Sequence, residues 1–218
     1  MNKKGFIFDL DGVIVDTAKY HFLAWKKLAN EIGIDFTAKQ NEQLKGVSRV
    51  KSLEKILSWG NKIISQDEFT ELMAKKNTDY LSFIAKMNED EILPDVPKTL
   101  NLLIDYNQSI ALGSASKNAR EILSKVNLIK KFEVIVDGNN VIKAKPDPEV
   151  FLNAANSLNI DASNCIVFED SVAGVQAANK ANMISIGIGE KDVLHEANYV
   201  FKDFTEISIE FIEKLINE

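Results

Sequence analysis

The stretch Phe6-Ile7-Phe8-Asp9-Leu10-Asp11-Gly12 constrains this chain more than any other. An apolar run ends in two carboxylates one residue apart. Read as a buried strand it alternates faces, so Asp9 and Asp11 point one way while Leu10 returns to the core. Gly12 gives the backbone freedom to leave the strand sharply, which puts both acids at a sheet edge, where open α/β proteins hold ligands. Neighbouring negative charges repel, and a bound cation relieves them. A solvated strand-to-turn boundary is the plainer use of two aspartates, and this stretch alone does not separate the readings.

A strand needs partners, and the residues that follow supply none. Asp16 or Thr17 can cap a helix. Phe22, Trp25, Leu28 with Ala29, and Ile32 then recur every three or four residues up to Gly33, where a helix would stop. Leu53, Ile56 and Leu57 make a second stripe, and Ser65-Gln66-Asp67-Glu68 reads as a capping box ahead of Phe69, Leu72 and Met73. Two prolines in Leu93-Pro94-Asp95-Val96-Pro97 end this regime and open a helix running to Tyr106. Strands expected at 109–113, 133–136, 164–168, 183–187 and 199–201 then alternate with helices at 119–126, 148–158, from 171 and from 205. Such alternation predicts a Rossmann-like parallel sheet with helices on both faces. The first strand, residues 4–8, has only these strands to pair with. The chain thus divides into an α/β core, residues 1–16 and 89–218, and an inserted all-helical cap domain, residues 17–88, expected to act as a lid for the strand ends.

At 218 residues with 45% hydrophobic content, the chain can bury a core of that size. Its net charge of −6 argues against non-specific nucleic-acid binding, while a local basic pocket would still admit a small anion. The single cysteine, Cys165, lies in an apolar run, so it reads as a buried inert thiol in a reducing compartment. No apolar segment approaches the ~20 residues of a membrane span, and no signal peptide is evident at the start, so a cytoplasmic location is expected.

Each strand end carries a particular kind of polar residue. Asp9 and Asp11 end the first, Ser114 the second with Ser116, Lys117 and Asn118 just after, Lys145-Pro146-Asp147-Pro148 follows the third, and Glu169-Asp170 ends the fourth. Carboxyl ends of parallel strands share one rim, so these groups can converge. Asp9, Glu169 and Asp170 suit Mg²⁺, which takes a few carboxylates plus water and phosphate oxygens. Lys145 and Ser114 can hold phosphoryl oxygens, a shielded carboxylate can attack phosphorus to give an aspartyl-phosphate, and the second acid of the pair can move protons. Singly, each residue has a plainer use. Lys145 could be a solvated loop lysine, with Lys143 an equal candidate by composition; Ser114 could begin a turn; Ser116 or Ser171 could cap a helix; Glu169-Asp170 could favour a helix's positive end. All of them at matching strand ends are much harder to explain that way.

The segments "FDLDG", "GSAS", "KPDP" and "FEDS", in that order with a helical insertion after the first, resemble the haloacid dehalogenase-like hydrolase superfamily, in its branch with a helical cap. The cap segments "DGVIVDTAKYHFLAWKKLANEIGI" and "NEQLKGVSR", with "ALGSASKN" from the core, are similar to the hexose-phosphate mutases of that branch. The resemblance implies that Asp9 is the nucleophile, Asp11 the general acid/base, and Ser114 and Lys145, rather than Lys143, the holders of the transferred phosphoryl group. It implies Mg²⁺ ligation by Asp9, Glu169, Asp170 and the backbone carbonyl of Asp11. Thr17, His21, Trp25, Lys45, Gly46, Val47, Ser48, Arg49, Ser52 and Lys76 would line or shape a sugar-phosphate pocket, and Ser116, Lys117 and Asn118 would contact the phosphate that is not transferred. Spacing alone makes His21 a surface or half-buried histidine and Trp25, Phe22 and Met73 core; the resemblance gives His21 a proton-relay or closure-sensing role near Asp11. The resemblance implies alanine at the position of Gly113, a departure expected to affect only packing.

The implied activity is interconversion of β-D-glucose 1-phosphate and glucose 6-phosphate, with β-glucose 1,6-bisphosphate as intermediate and activator. A monomer acting on a small-molecule sugar phosphate is the separate expectation for its partners. A Mg²⁺-dependent phosphatase of sugar or other small phosphates is the alternative, and a non-catalytic phosphosugar-binding protein a more distant one. A dehalogenase leaves Asp11 without a task, and a phospho-signalling receiver domain leaves the helical insertion without one.

Overall fold

In a computed structural model, residues 3–44 and 47–217 are described. Lys45 and Gly46, both expected near the sugar phosphate, lie outside the described residues. The chain divides into two compact units, Thr17–Met87 and a second made of Met1–Asp16 with Asn88–Glu218.

The first unit contains helices α1 (Ala18–Glu31), α2 (Ala38–Glu42), α3 (Arg49–Trp59) and α4 (Gln66–Ile84), with no strand among its described residues. Thr17 holds the cap position of α1 through its backbone, and Gly33 takes φ 72° just past the helix end. Ser65 Oγ accepts the N–H of Glu68 at 3.2 Å, the first half of the expected capping box. Trp25, Leu28 and Ala29 of α1 pack with Phe36, Leu53, Ile56 and Leu57 in one apolar cluster, with Phe22, Phe69, Leu72 and Met73 at its margin.

The second unit is built on six parallel strands, β1 (Gly5–Phe8), β2 (Ser109–Gly113), β3 (Val134–Val136), β4 (Cys165–Glu169), β5 (Ile184–Ile188) and β6 (Tyr199–Phe201), in the order β3-β2-β1-β4-β5-β6. Helices α5 (Val96–Asp105), α6 (Ala119–Lys125), α7 (Glu149–Leu158), α8 (Val172–Lys180) and α9 (Ile209–Asn217) connect and cover them. Alternation along the strands sorts two apolar layers. Ile7 and Val167 face Val150, Phe151 and Ala154 of α7 and Ala177 and Ala178 of α8. On the other side Phe8, Phe168 and Phe204 stack, with ring centroids 4.6 Å and 5.3 Å apart along the series.

The final helix begins later than the expected start at Thr205. A short 3₁₀ turn, Phe204–Glu206, comes first and α9 starts at Ile209, because Phe204 and Ile207 are both buried and Asp203 Oδ1 caps the turn by accepting the N–H of Thr205 at 2.9 Å. The two connections to the inserted segment run side by side: Asp16 N–H donates to Glu91 O at 3.1 Å, and Leu93 N–H to Ile14 O at 3.0 Å.

Candidate active site

Strands β1, β2 and β4 are neighbours at the middle of the sheet, where the strand order reverses, and their carboxyl ends form one rim. Asp9 follows β1 directly, and its N–H donates to Phe168 O at 3.0 Å. The chain then folds back, with Gly12 N–H donating to Val15 O at 2.9 Å and Val15 N–H to Leu10 O at 3.1 Å. A tight turn, rather than continued strand alternation, therefore relates the two aspartates: Asp11 N–H donates to Asp9 Oδ2 at 3.1 Å. Leu10 is fully buried, Asp9 buried and Asp11 half-buried. Gly12 sits at φ 80°, and a Cβ there would collide with the Asp170 carboxylate, so glycine is what lets this turn close on Asp170.

Lys145, three residues before α7's cap residue Pro148, enters the same place. Its Nζ donates to Asp9 Oδ1 at 2.6 Å, to Gly113 O at 3.2 Å and to Glu169 Oε1. The Phe151 ring lies 4.7 Å from Nζ, and Gly113 makes room for that ring, since a Cβ there would come within 2.9 Å of it. Lys143 is exposed and pairs with Asp147 at 3.6 Å. Burial disfavours the Lys145 ammonium, yet Asp9 and Glu169 outweigh it and hold the group above the usual lysine range. Burial lifts the Asp9 carboxyl to about 7, with Lys145 offsetting part of the rise and Glu169 and Asp11 adding to it. Glu169 is oriented by Ser171, whose N–H and Oγ–H both donate to Oε2 at 2.8 Å, while Ser171 Oγ accepts Gly174 N–H at 3.1 Å. A Cβ on Gly174 would collide with the Glu169 carboxylate.

Ser114 continues β2 past its end, its N–H donating to Val136 O at 3.0 Å. Its Oγ accepts the N–H of Ser116 at 3.1 Å, which leaves the hydroxyl hydrogen as the group it can offer an anion. Ser116 Oγ accepts Asn118 N–H at 3.3 Å, so residues 114–118 form a chain of side-chain-capped turns leading into α6. Lys117 is exposed, and Ser116 and Asn118 are half-buried.

In the helical unit, His21, Trp25 and Lys76 come together with Tyr80. Lys76 Nζ is 3.0 Å from His21 Nδ1 and stands 4.8 Å from the Trp25 and 4.5 Å from the Tyr80 ring centroids. An ammonium can only donate, so Nδ1 accepts and the imidazole proton belongs on Nε2. Burial, then the Lys76 and Arg49 cations, hold His21 neutral well below the ordinary histidine range. Arg49 opens α3, capped by Ser48 Oγ, and Ser52 follows one turn on, buried; burial lowers the Arg49 guanidinium from its usual value. Val47 is half-buried, and Thr17 and Trp25 are buried.

The acids of the rim offer oxygen donors only, as a hard cation prefers: Asp9 and Glu169 meet through Lys145, and the Asp170 carboxylate lies against the Gly12 turn. No three of the described histidine, cysteine, aspartate and glutamate residues form a preformed cage, and the Lys145 ammonium lies between Asp9 and Glu169. A Mg²⁺ ion held by one or two carboxylates, water and a phosphate needs no such cage. Reading the sequence missed Ser171 as the orienter of Glu169, the spaces left by Gly113 and Gly174, and Phe151 under Lys145. The FEDS segment contained the Ser171 signal, since a serine there can cap a helix and still reach back two residues.

A Rossmann-like core with an acid following its first strand, a buried lysine bridging to a second acid, and a helical insertion between the first two strands defines a phosphoryl-transfer enzyme of the capped α/β type. The chain belongs to the haloacid dehalogenase-like hydrolases, whose family model matches residues 3–182. It is 41% identical over 97% of its length to the β-phosphoglucomutase of Bacillus subtilis (strain 168), covering 94% of that protein. The crystal structure of β-phosphoglucomutase from Clostridium difficile superposes with a TM-score of 0.94 at 43% identity, over 99% of this chain and 98% of that one. A phosphorylated carbohydrates phosphatase of Thermotoga maritima is 30% identical over 81% of both chains.

Proposed function

We propose that this protein catalyses the β-phosphoglucomutase reaction, interconverting β-D-glucose 1-phosphate and glucose 6-phosphate through β-glucose 1,6-bisphosphate. The observation that carries the reading is the Asp9–Lys145–Glu169 cluster at the carboxyl ends of β1 and β4; likeness to the Bacillus enzyme over 97% of the chain, helical unit included, selects mutase over other phosphoryl transfers.

Asp9 Oδ1 is held by Lys145 and Oδ2 by the Asp11 N–H, so the carboxylate is fixed in orientation before substrate arrives. Asp9 attacks phosphorus to give an aspartyl-phosphate, and Asp11 protonates the departing sugar oxygen, then takes the proton from the hydroxyl that attacks in return. Lys145 and the Ser114 hydroxyl neutralise charge on the phosphoryl oxygens. Asp9, Glu169, Asp170 and the Asp11 carbonyl would hold Mg²⁺, which supplies charge neutralisation on the phosphate when bound. Arg49 and Lys76 give the helical unit its anion-recognising groups, Arg49 as a fork and Lys76 as a point charge, and Ser116, Lys117 and Asn118 contact the phosphate that does not react.

A phosphatase of small phosphate esters is the second reading, supported by the Thermotoga relative: the same aspartyl-phosphate yields to water instead of a sugar hydroxyl. A coupled assay with β-glucose 1-phosphate, its α anomer and a bisphosphate primer, alongside measurement of free phosphate, tests both. The mutase makes glucose 6-phosphate from the β anomer with little free phosphate. Stoichiometric free phosphate without glucose 6-phosphate would establish the phosphatase.

A further inference from the structure

Beyond Ser114, the loop 115–118 is gripped from the far side by the turn that follows β3. Gly138 N–H donates to Ser116 O at 3.2 Å, and Asn139 Nδ2 donates to Lys117 O at 3.1 Å. The two backbones touch: a Cβ on Gly138 would collide with Ala115 O. This turn has its own internal organiser. The Asp137 side chain is only 3% exposed; its Oδ1 accepts Asn139 N–H at 2.8 Å and its Oδ2 accepts Arg120 Nε–H at 3.1 Å. The second arm of Arg120, Nη2, donates to Ile135 O at 2.7 Å. Arg120 is the second residue of α6, the helix that begins where the loop ends. The result is a closed ring: the loop leads into α6, α6 reaches through Arg120 to Asp137, and the Asp137 turn returns two hydrogen bonds to the loop.

We propose that Arg120 and Asp137 are positioning residues that set the 116–118 segment for its grip on the phosphate that is not transferred. Neither side chain bonds to Asp9, Lys145 or Glu169. Ser114, which serves the transferred group, hangs on the β3 ladder through Val136 O rather than on the Asp137 turn. Damage to the ring therefore separates two functions: it loosens recognition of a second phosphate and spares transfer from an ester that has only one. The choice of anion rests on the mutase reading, whereas the mechanical linkage stands without it.

The test compares Arg120→Gln, Arg120→Lys and Asn139→Ala with wild type. The last removes one exposed side chain and a single bond to Lys117 O, so its folding is not at issue. Two quantities are read: amide hydrogen exchange over residues 115–118 in ligand-free protein, and steady-state kinetics on β-glucose 1-phosphate with primer and on p-nitrophenyl phosphate. For Arg120→Gln, faster exchange confined to the loop is expected together with a rise of about tenfold in KM for the sugar phosphate, kcat and p-nitrophenyl phosphate hydrolysis staying within about twofold. Arg120→Lys, keeping the charge but losing the fork, should fall between it and wild type, and Asn139→Ala should shift KM in the same direction by less. Unchanged exchange overturns the linkage. Faster exchange with unchanged KM, or equal losses on both substrates, overturns the positioning role. A wild type inactive on β-glucose 1-phosphate would defeat the mutase reading while the exchange data still decided the linkage.

Discussion

Replacing Lys145 by methionine keeps the length of the side chain and deletes the cation that joins Asp9 to Glu169. With Nζ 2.6 Å from Asp9 Oδ1 and an effective dielectric of about 20, the attraction is about 6 kcal/mol before desolvation of both groups is subtracted. Removing one partner of a buried pair leaves the other uncompensated, at a net loss of about 3–5 kcal/mol. That loss has a definite pH dependence. Burial already lifts Asp9 to about 7 with the lysine present; a raised carboxylate gives stability that is complete below its unfolded value and lost as pH climbs through the folded one. Without the lysine Asp9 ionises at still higher pH, so the variant goes on losing stability above about pH 7, where the wild-type loss levels off, by up to about 1.4 kcal/mol per unit. Urea unfolding of metal-free protein at about pH 5 and about pH 8, with unchanged m-values as the control for compactness, measures this. The deficit should be larger at the higher pH. A loss below about 1 kcal/mol, or one equal at both, would refute the claim that Lys145 is the counter-charge of this site.

Asp11→Ala should lower mutase kcat by about 10²–10⁴ while leaving Mg²⁺ affinity largely intact, since on the proposed reading Asp11 would offer the metal only its backbone carbonyl; turnover and metal titration on the same sample check it, and normal turnover removes Asp11 from proton transfer. His21 is held neutral well below its ordinary value of 6.5, so in that window the unfolded chain binds a proton that the native one does not, and stability present above the unfolded value drains away as pH falls. His21→Asn should flatten this acid loss in unfolding titrations by up to about 1.4 kcal/mol per pH unit, and parallel curves would contradict the assignment. Gly174→Ala, which on helix propensity alone should stabilise by about 1 kcal/mol, should instead displace the Glu169 carboxylate and cut Mg²⁺-dependent turnover; melting and activity both equal to or above wild type would show that the carboxylate has room to move.

Period-2 and period-3.6 patterns made the order of strands and helices legible, because a doubly covered parallel sheet leaves apolar runs that only strands can use. The same logic put Asp9, Ser114 and Glu169 on one rim. What separates Lys145 from Lys143 is not in the composition of the loop: it is the depth of the site, which buries one ammonium between two acids and leaves the other beside Asp147. Supporting contacts were harder to see. Gly113, Gly138 and Gly174 act by what they lack, and a missing Cβ has no periodicity. Asp137 and Arg120 meet across 17 residues of chain through the crossover between β2 and β3, and neither carries a motif. The late start of α9 reflects Phe204 and Ile207 both entering the core, a tertiary demand that outweighs local helix preference.

The central claim is that Asp9 carries the phosphoryl group during turnover. Incubation with β-glucose 1,6-bisphosphate and Mg²⁺, followed by borohydride trapping and peptide mass analysis, reads this directly. Asp9 should be converted in wild type and the signal should vanish in Asp9→Asn. Trapping at another residue, or full turnover by Asp9→Asn, would contradict it.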